Sequence, residues 1–167
     1  MKVLKILVVG IFVFITYIVF SGSISPYDLM SGVIVALIIA GVMAGFTVQN
    51  PLKPLDPRRW VWLIIYALYY FFVAEVKSHL DVMYRILHPK MPVKPGIVRV
   101  PYDLETDYAI TSVANSITNT PGTVVVDIDP KEKTYFVHWI NVRTTDPQKT
   151  REMISSKFEY YSKKVFD

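Results

Sequence analysis

The chain has 167 residues, a formal net charge of +4 and no cysteine, and 52% of its residues are hydrophobic. Its mean hydropathy of +0.34 is too high for an ordinary water-soluble domain and indicates a membrane protein. Without cysteine the chain cannot form disulfides, use a thiol nucleophile or hold zinc or iron–sulfur clusters through thiolates. Its cations do not cluster into a basic stripe, so we expect no nucleic-acid partner.

Two apolar runs near the N-terminus predict a helical hairpin in the membrane. The first, residues 4–20, is interrupted only by Lys5, and the second, residues 29–48, carries no charge. About 20 apolar residues suffice to cross roughly 30 Å of hydrocarbon. A secretory signal is the alternative for the first run, but no convincing small-x-small cleavage site follows it. The second run holds small residues that let membrane helices pack closely, some of them in other proteins: Gly32, Ala36, Ala40, Gly41, Ala44 and Gly45.

A third helix is expected over residues 58–88, either lying in the membrane interface or steeply tilted. Its apolar part, residues 60–74, is short for a full crossing and is rich in Trp and Tyr, which favour the headgroup level. Beyond it the pattern is amphipathic, with charged residues off the apolar stripe. The stripe consists of Val76, Leu80, Met83, Tyr84 and Leu87, and the charged residues are Glu75, Lys77, Asp81 and Arg85.

The distribution of cations predicts which side of the membrane each part occupies. Lys2 and Lys5 precede the hairpin, further cations follow it from Lys53 to Arg59, and the connecting turn, residues 21–28, has none. The positive-inside rule therefore places both ends of the hairpin in the cytoplasm of a cell-membrane protein. If the third helix lies in the interface, the C-terminal domain is cytoplasmic as well, and if the helix spans the bilayer, the domain is outside. We expect the cytoplasmic arrangement.

The rest of the chain predicts a small α+β domain of the ferredoxin-like type. Residues 1–88 form the membrane region, the Pro-rich residues 89–96 a linker, and residues 97–167 the domain. The domain's expected elements follow the order β-α-β-β-α. They are a strand at 97–100, a helix capped by Asp103 or Thr106, strands at 123–128 and 134–142 around a hairpin loop at 129–133, and one final helix after Asp146-Pro147.

No constellation of catalytic residues is visible in this sequence. The three histidines, His79, His88 and His138, lack metal-ligand spacing, so we expect no metal, no cofactor and no enzymatic activity of the chain itself. His138, within a strand, is interpreted as a packing or interface residue. Glu75 and His79, at i and i+4 on the third helix, are weak candidates for an ion pathway, because ionisable residues at membrane depth are commonly functional.

One polar segment, residues 114–123, stands out in the C-terminal domain. A helix end this rich in Asn, Ser and Thr offers many side-chain hydrogen bonds to free carbonyl groups. It is either a capped helix end followed by a Pro-Gly turn or a contact surface toward a partner. The candidate contact residues are Asn115, Ser116, Thr118, Thr120, Pro121, Gly122 and Thr123, together with His138.

The string ANSIT-x-TPGT at 114–123, the VDID strand end at 126–129 and YFVHWI at 135–140 resemble the E subunit of the Mrp (Mnh) multisubunit cation/proton antiporters. The hairpin and the Pro-rich segment fit as well, so the resemblance covers nearly the whole chain. Many relatives would carry Leu where this chain has Asn119. Related subunits also occur in archaeal membrane-bound hydrogenase and sulfane reductase complexes.

The resemblance implies an accessory subunit of a sodium/proton antiporter, or of a redox-driven ion-translocating complex that contains this antiporter module. Its partners would be the other membrane subunits and the lipid bilayer, and no catalytic residue carries over. The alternative is a membrane-tethered docking or regulatory domain that recruits a soluble partner from the cytoplasm.

Overall fold

The computed structural model describes residues 2–48 and 50–167. Contacts within the chain divide it into two units, one ending at Pro57 and the other comprising Arg58–Asp167. The first unit is a helical hairpin, and the second joins a long helix to the α+β domain.

The hairpin consists of helix α1 (Lys2–Ser21) and helix α2 (Pro26–Thr47). Helix α2 begins three residues before the apolar run at 29–48 because its start is set by a cap rather than by hydrophobicity. The Ser25 side chain accepts a hydrogen bond from the Asp28 N–H, and Pro26 occupies the first turn, where its missing N–H costs nothing.

Small residues spaced four apart bring α1 and α2 together. Ala36, Ala40 and Ala44 are buried, and a Cβ atom on Gly32 would lie 2.9 Å from the Tyr17 ring. On the other side of α2, a Cβ atom on Gly41 would meet nothing within 4 Å. The hairpin is therefore held by close backbone approach along a single face of α2.

The expected third helix is one continuous helix, Pro57–Leu87. It is formed by α3 (Pro57–Tyr69), a π-helical turn (Tyr70–Glu75) and α4 (Val76–Leu87). It ends at Leu87 because His88 adopts the extended backbone conformation that a following proline favours.

The π-helical turn keeps one face of the third helix in register along its length. Tyr66 and Arg85, both buried, are 19 residues apart, which in an uninterrupted α-helix would leave them about 100° apart around the axis. A π turn accommodates one extra residue. The remaining 18 steps make about five full turns, so the two side chains return to the same face.

The domain contains a three-stranded antiparallel sheet in the order β1-β3-β2. Its strands are β1 (Gly96–Pro101), β2 (Thr123–Asp129) and β3 (Thr134–Trp139). Helix α5 (Asp107–Asn119) connects β1 to β2, and Thr106 rather than Asp103 caps it by accepting from the Ala109 N–H. The order and strand directions are those of a ferredoxin-like β-α-β-β core, which confirms the expected fold class.

The final helix is divided in two, which the sequence did not predict. Asp146 caps α6 (Pro147–Ile154), and α7 (Ser156–Phe166) follows after Ser155. At this break the Ser155 hydroxyl donates to the buried Glu159 carboxylate at 2.6 Å. The core of the unit contains the following buried side chains: Tyr66, Ala74, Val98, Val100, Tyr102, Leu104, Ala109, Val113, Ala114, Ile117, Tyr135, Val137, Phe158 and Val165.

Candidate functional site: the joint between the third helix and the α+β domain

Aromatic side chains fix the middle of the third helix to helix α7. Tyr66 stacks on Tyr161 with ring centroids 5.9 Å apart, and Tyr69 lies 4.9 Å from the same ring. Tyr66, Tyr69 and Tyr70 all contact Phe158 as well. Aromatic pairs at these separations add to the free energy gained from burying their surface. The helix is thus part of the domain's core.

Polar contacts hold the N-terminal end of the third helix. The Arg59 guanidinium donates to the Val165 carbonyl oxygen at 2.7 Å, which satisfies a carbonyl in the last turn of α7. Beside it, the Trp62 ring meets Tyr160 edge-on and lies under the ammonium group of Lys164.

A buried arginine fixes the C-terminal end of the third helix. The Arg85 side chain is 7% exposed, forms a two-pronged ion pair with Asp81 and donates to the Pro92 carbonyl oxygen at 2.5 Å. Asp81 also accepts from Arg143, which follows strand β3. Asp81 and Arg85 on α4 therefore face the domain, and the apolar stripe of α4 faces outward.

The segment 114–123 lies at this joint. The Ser116 hydroxyl shares a hydrogen bond of 2.6 Å with the Tyr66 hydroxyl, which ties α5 to α3. Gly122 adopts φ +95°, and a Cβ there would come within 3.1 Å of Ile140 and 3.5 Å of Val82 on α4. A glycine is needed both for the left-handed backbone and for the close approach.

The threonines of the same segment close the end of α5 onto strand β2. Thr120 donates to the Ser116 carbonyl, and Thr123 donates to the Ile117 carbonyl at 2.8 Å. Thr118 accepts from the Val125 N–H at 3.2 Å. The contacts from Thr120 and Thr123 satisfy carbonyl groups that an α-helix leaves free at its end. Pro121 is half-buried within the turn, and Asn115 remains exposed.

A groove of about 450 Å³ runs between α3 and α5. One wall is apolar and aromatic, and the other carries hydroxyl and amide groups from the exposed side of α5. None of the lining side chains is charged, which suits a neutral ligand or protein segment better than an ion. The lining includes Leu63, Ala67, Phe71, Ser112, Asn115 and Asn119.

His138 lies on the opposite side of the sheet. In the strand register it stands between Ile97 on β1 and Val124 on β2. Ile97 is 62% exposed and Val124 45% exposed, so His138 belongs to an open, partly apolar sheet face. This face is separate from the joint.

Glu75 and His79 are neighbours at the end of the π-helical turn. The His79 Nδ1 atom lies 3.2 Å from a Glu75 carboxylate oxygen, and the Tyr70 hydroxyl donates to the other oxygen. Tyr70 and Glu75 are five residues apart, the spacing that a π turn aligns. The Glu75 carboxylate therefore also stabilises the turn that sets the helix register.

Two buried ionisable groups of the domain, Glu159 and Tyr135, have hydrogen-bond partners. Glu159 accepts from Arg151, Ser155 and the Asp103 N–H, and the pair with Glu159 raises the pKa of Arg151. Burial raises the pKa of Tyr135, whose hydroxyl donates to the Ile110 carbonyl. Across residues 2–48 and 50–167 no three acidic or histidine side chains are grouped as a metal site.

The sequence indicated Ser116 and Gly122 but did not predict the residues of the third helix that build the joint. Trp62, Tyr66 and Tyr69 recur at intervals of three and four, which is a helical stripe, but aromatic residues at membrane depth also suggest the headgroup level. Arg85 resembles a solvated charge on an amphipathic helix. The π turn that aligns these residues leaves no recognisable mark in the sequence.

The fold and joint define a membrane protein whose α+β domain is packed on a membrane-associated helix. Three helices in the described part of the chain are long and apolar enough to cross a membrane. The profile of the MNHE family, described as "Na+/H+ ion antiporter subunit", matches residues 10–165. The chain therefore belongs to this family of Na+/H+ antiporter E subunits.

Individual relatives agree with this assignment. The Na(+)/H(+) antiporter E subunit of Alkalihalophilus pseudofirmus is 33% identical, over 74% of this chain and 75% of the relative. The E1 antiporter subunit of Staphylococcus saprophyticus is 26% identical, over 87% and 86%. A chain in the structure of the membrane-bound sulfane sulfur reductase, an archaeal respiratory membrane complex, is 34% identical with a TM-score of 0.85, covering 97% of this chain and 99% of that one. These findings confirm the resemblance noted in the sequence.

Proposed function

We propose that this chain is an accessory, non-catalytic subunit of an ion-translocating membrane complex. That complex is either a multisubunit sodium/proton antiporter or a redox-driven complex with the same antiporter module. The observation that carries the proposal is the family match along residues 10–165, supported by the likeness to a chain of the sulfane sulfur reductase. Its partners are the other membrane subunits of that complex.

The hairpin supports an assembly role. Along α2 one face packs on α1 through small residues, while large apolar side chains such as Ile34, Ile38 and Val42 are more than half exposed. Within a membrane such a helix can pack against lipid or further helices. The exposed side chains of residues 114–123, Asn115 and Thr118 among them, and the neighbouring groove offer a second, polar contact surface.

Purification of the tagged full-length chain in mild detergent tests this function. We expect several hydrophobic subunits to co-purify, identified by mass spectrometry, with the same tag on an unrelated membrane protein as the control. Redox subunits among them would indicate a respiratory complex, and antiporter subunits alone a stand-alone antiporter. A stable, isolated monomer would contradict the proposal.

The C-terminal domain lies in the cytoplasm in this proposal. Lys2 and Lys5 are at the start of α1, Lys53 and Arg59 follow α2, and the turn between the helices carries no cation. A cysteine at exposed Lys131, in an otherwise cysteine-free chain, should react with a membrane-impermeant thiol reagent only after the cells are opened. The matched control is Ile24→Cys in the hairpin turn, which should react in intact cells.

A second candidate function is the recruitment of a soluble cytoplasmic protein. The open sheet face around Ile97, Val124 and His138 favours it, because exposed apolar side chains on a sheet can form a docking surface. Replacing Val124 with Lys would then release a water-soluble protein from the purified material while the membrane subunits remain.

A further inference from the structure

The third helix exposes a long apolar face on the side away from the α+β domain. This outer face contains large side chains that are roughly half or more exposed, and it runs over the whole helix. A contiguous apolar patch of this extent is rare on a protein surface that meets only water. The outer face comprises Val61, Ile64, Leu68, Phe72, Val76, Leu80, Met83 and Leu87.

The domain covers the opposite face of the same helix from one end to the other. Arg59 contacts α7 near the first turn, Tyr66 is buried in the middle, and Arg85 contacts the segment after the helix near the last turn. Arg59, Asp81 and Arg85 are thus directed to the domain, whereas Lys77 and His79 stay exposed at the edges of the outer face. The amphipathic helix turns its apolar side away from the domain. A surface helix of a water-soluble protein does the reverse and packs its apolar side against the protein core.

These contacts are incompatible with a helix that crosses the bilayer. The helix has 31 residues and a length of about 45 Å, and the domain accompanies nearly all of it. A crossing would carry charged groups of α7, such as Lys163 and Lys164, toward the hydrocarbon, where each cation costs about 3 kcal/mol at the bilayer centre. The domain must therefore remain in water, with the helix at its boundary.

Lipid is the occupant that these features favour for the outer face. Only nine residues separate the end of α2 from the start of the third helix, and α2 is long and apolar enough to cross a membrane. No charged residue lies within the stripe, whereas exposed Lys77 and Lys90 lie outside it, where they can reach anionic headgroups. A partner helix would need none of these flanking cations.

We infer that the third helix, Pro57–Leu87, lies flat in one leaflet, with its outer face in the acyl-chain boundary and its inner face bearing the α+β domain. The helix anchors the domain at the bilayer surface along its whole length. This placement does not depend on which complex the chain joins, or on which side of the membrane the domain lies.

Depth measurements on single-cysteine variants test the inference. The full-length chain, with whatever subunits co-purify, is spin-labelled and reconstituted into vesicles of phosphatidylcholine and phosphatidylglycerol. Labels at Ile64, Leu68, Val76, Leu80 and Leu87, all exposed, report collisions with oxygen and with a water-soluble nickel chelate. We expect all five to favour oxygen and to lie about 5–10 Å below the headgroups, at one common depth.

Two sets of control positions calibrate the result. Labels at Ile34, Ile38 and Val42 on α2 should show depth changing along the helix, by up to about 1.5 Å per residue. A label at exposed Glu152 should favour the nickel chelate. A depth gradient along the third helix like that of α2 would overturn the inference, and so would low collision with both reagents, which would mean that a protein subunit covers the face. The thiol labelling of Lys131→Cys separately reports a failure of the cytoplasmic placement.

Discussion

The helices of the two units pack through opposite kinds of side chain. In the hairpin, α1 and α2 meet through Gly32, Ala36 and Ala40, with few polar contacts. In the second unit, the third helix packs through tyrosines, hydroxyl groups and a buried arginine. In lipid there is no hydrophobic gain from burying apolar surface, so close backbone approach provides the attraction. Against a water-soluble domain, large side chains gain more by being buried.

The difference shows that the residue types at a helix contact indicate whether the neighbouring element lies in lipid or in water. Small residues at one helix face indicate a neighbour within the bilayer, as in α2. Aromatic and charged residues at the inner face of the third helix indicate a neighbour outside it, while its outer face stays apolar. Changes at the two kinds of contact should therefore have different consequences, which the following variants separate.

The largest effect is expected from changing the length of the π-helical turn. Inserting one alanine after Phe72 should rotate α4 by about 100° relative to Tyr66 and expel Arg85 from its site, at a cost of about 3 kcal/mol or more. Deleting the exposed Phe72 should be tolerated, because a regular α-helix then brings Tyr66 and Arg85 to the same face. Thermal unfolding in detergent compares the two variants. Equal damage from both would contradict the register argument.

Replacing Arg85 with Met should reduce the free energy of unfolding by about 2 kcal/mol. The change removes the charge-assisted hydrogen bonds that the buried Arg85 guanidinium, 7% exposed, donates to the Asp81 carboxylate and to the Pro92 carbonyl. Arg99→Met is the matched control, since its 3.7 Å pair with Glu132 is exposed on both sides and should matter by less than about 1 kcal/mol. Similar losses from the two variants would show that burial does not decide the strength of this pair.

Gly32→Ala should weaken the hairpin by about 1 kcal/mol, because the added methyl group pushes the Tyr17 ring away. Gly41→Ala adds the same methyl group where nothing lies within 4 Å, so it isolates the helix propensity that both variants gain. Disulfide cross-linking between cysteines introduced into α1 and α2 measures the difference. An equal cross-linking yield in both variants would argue against close packing at Gly32.

The smallest effect concerns the exposed pair of Asp103 and Lys163 beside α7. The hydrogen bond and charge of Lys163 lower the pKa of Asp103, so the stabilisation is present above the ordinary aspartate pKa of about 4 and is lost as the pH falls through the lowered value. Lys163→Met should therefore melt slightly lower than the unmodified chain at pH 7 and equally at acidic pH below that value. A difference that grew on acidification would reverse the assigned sign.

Much of the architecture followed from the sequence because it depends on local chemistry. Two apolar runs, the first interrupted only by Lys5, indicated α1 and α2, and the turn residues around Pro121 and Asp129 divided the domain into its strands. The predicted bound was less accurate at Ser25, where a cap decided it, and at α5 the structure selected Thr106 from the two caps that the sequence offered. The break at Ser155 was missed because it depends on Glu159 being drawn into the interior.

The sequence by itself determined that this is a membrane protein with an α+β domain, and the string at 114–123 indicated its family. Hydrophobic periodicity and turn chemistry are properties of short segments, so they can be read without coordinates. Only the tertiary structure decided which face of the third helix is covered. The covered face depends on one π-helical turn and on partners outside the helix. Ser116 binds Tyr66 from 50 residues further along the chain, and Pro92 binds Arg85 from the segment after the helix, so both contacts exist only in the folded chain.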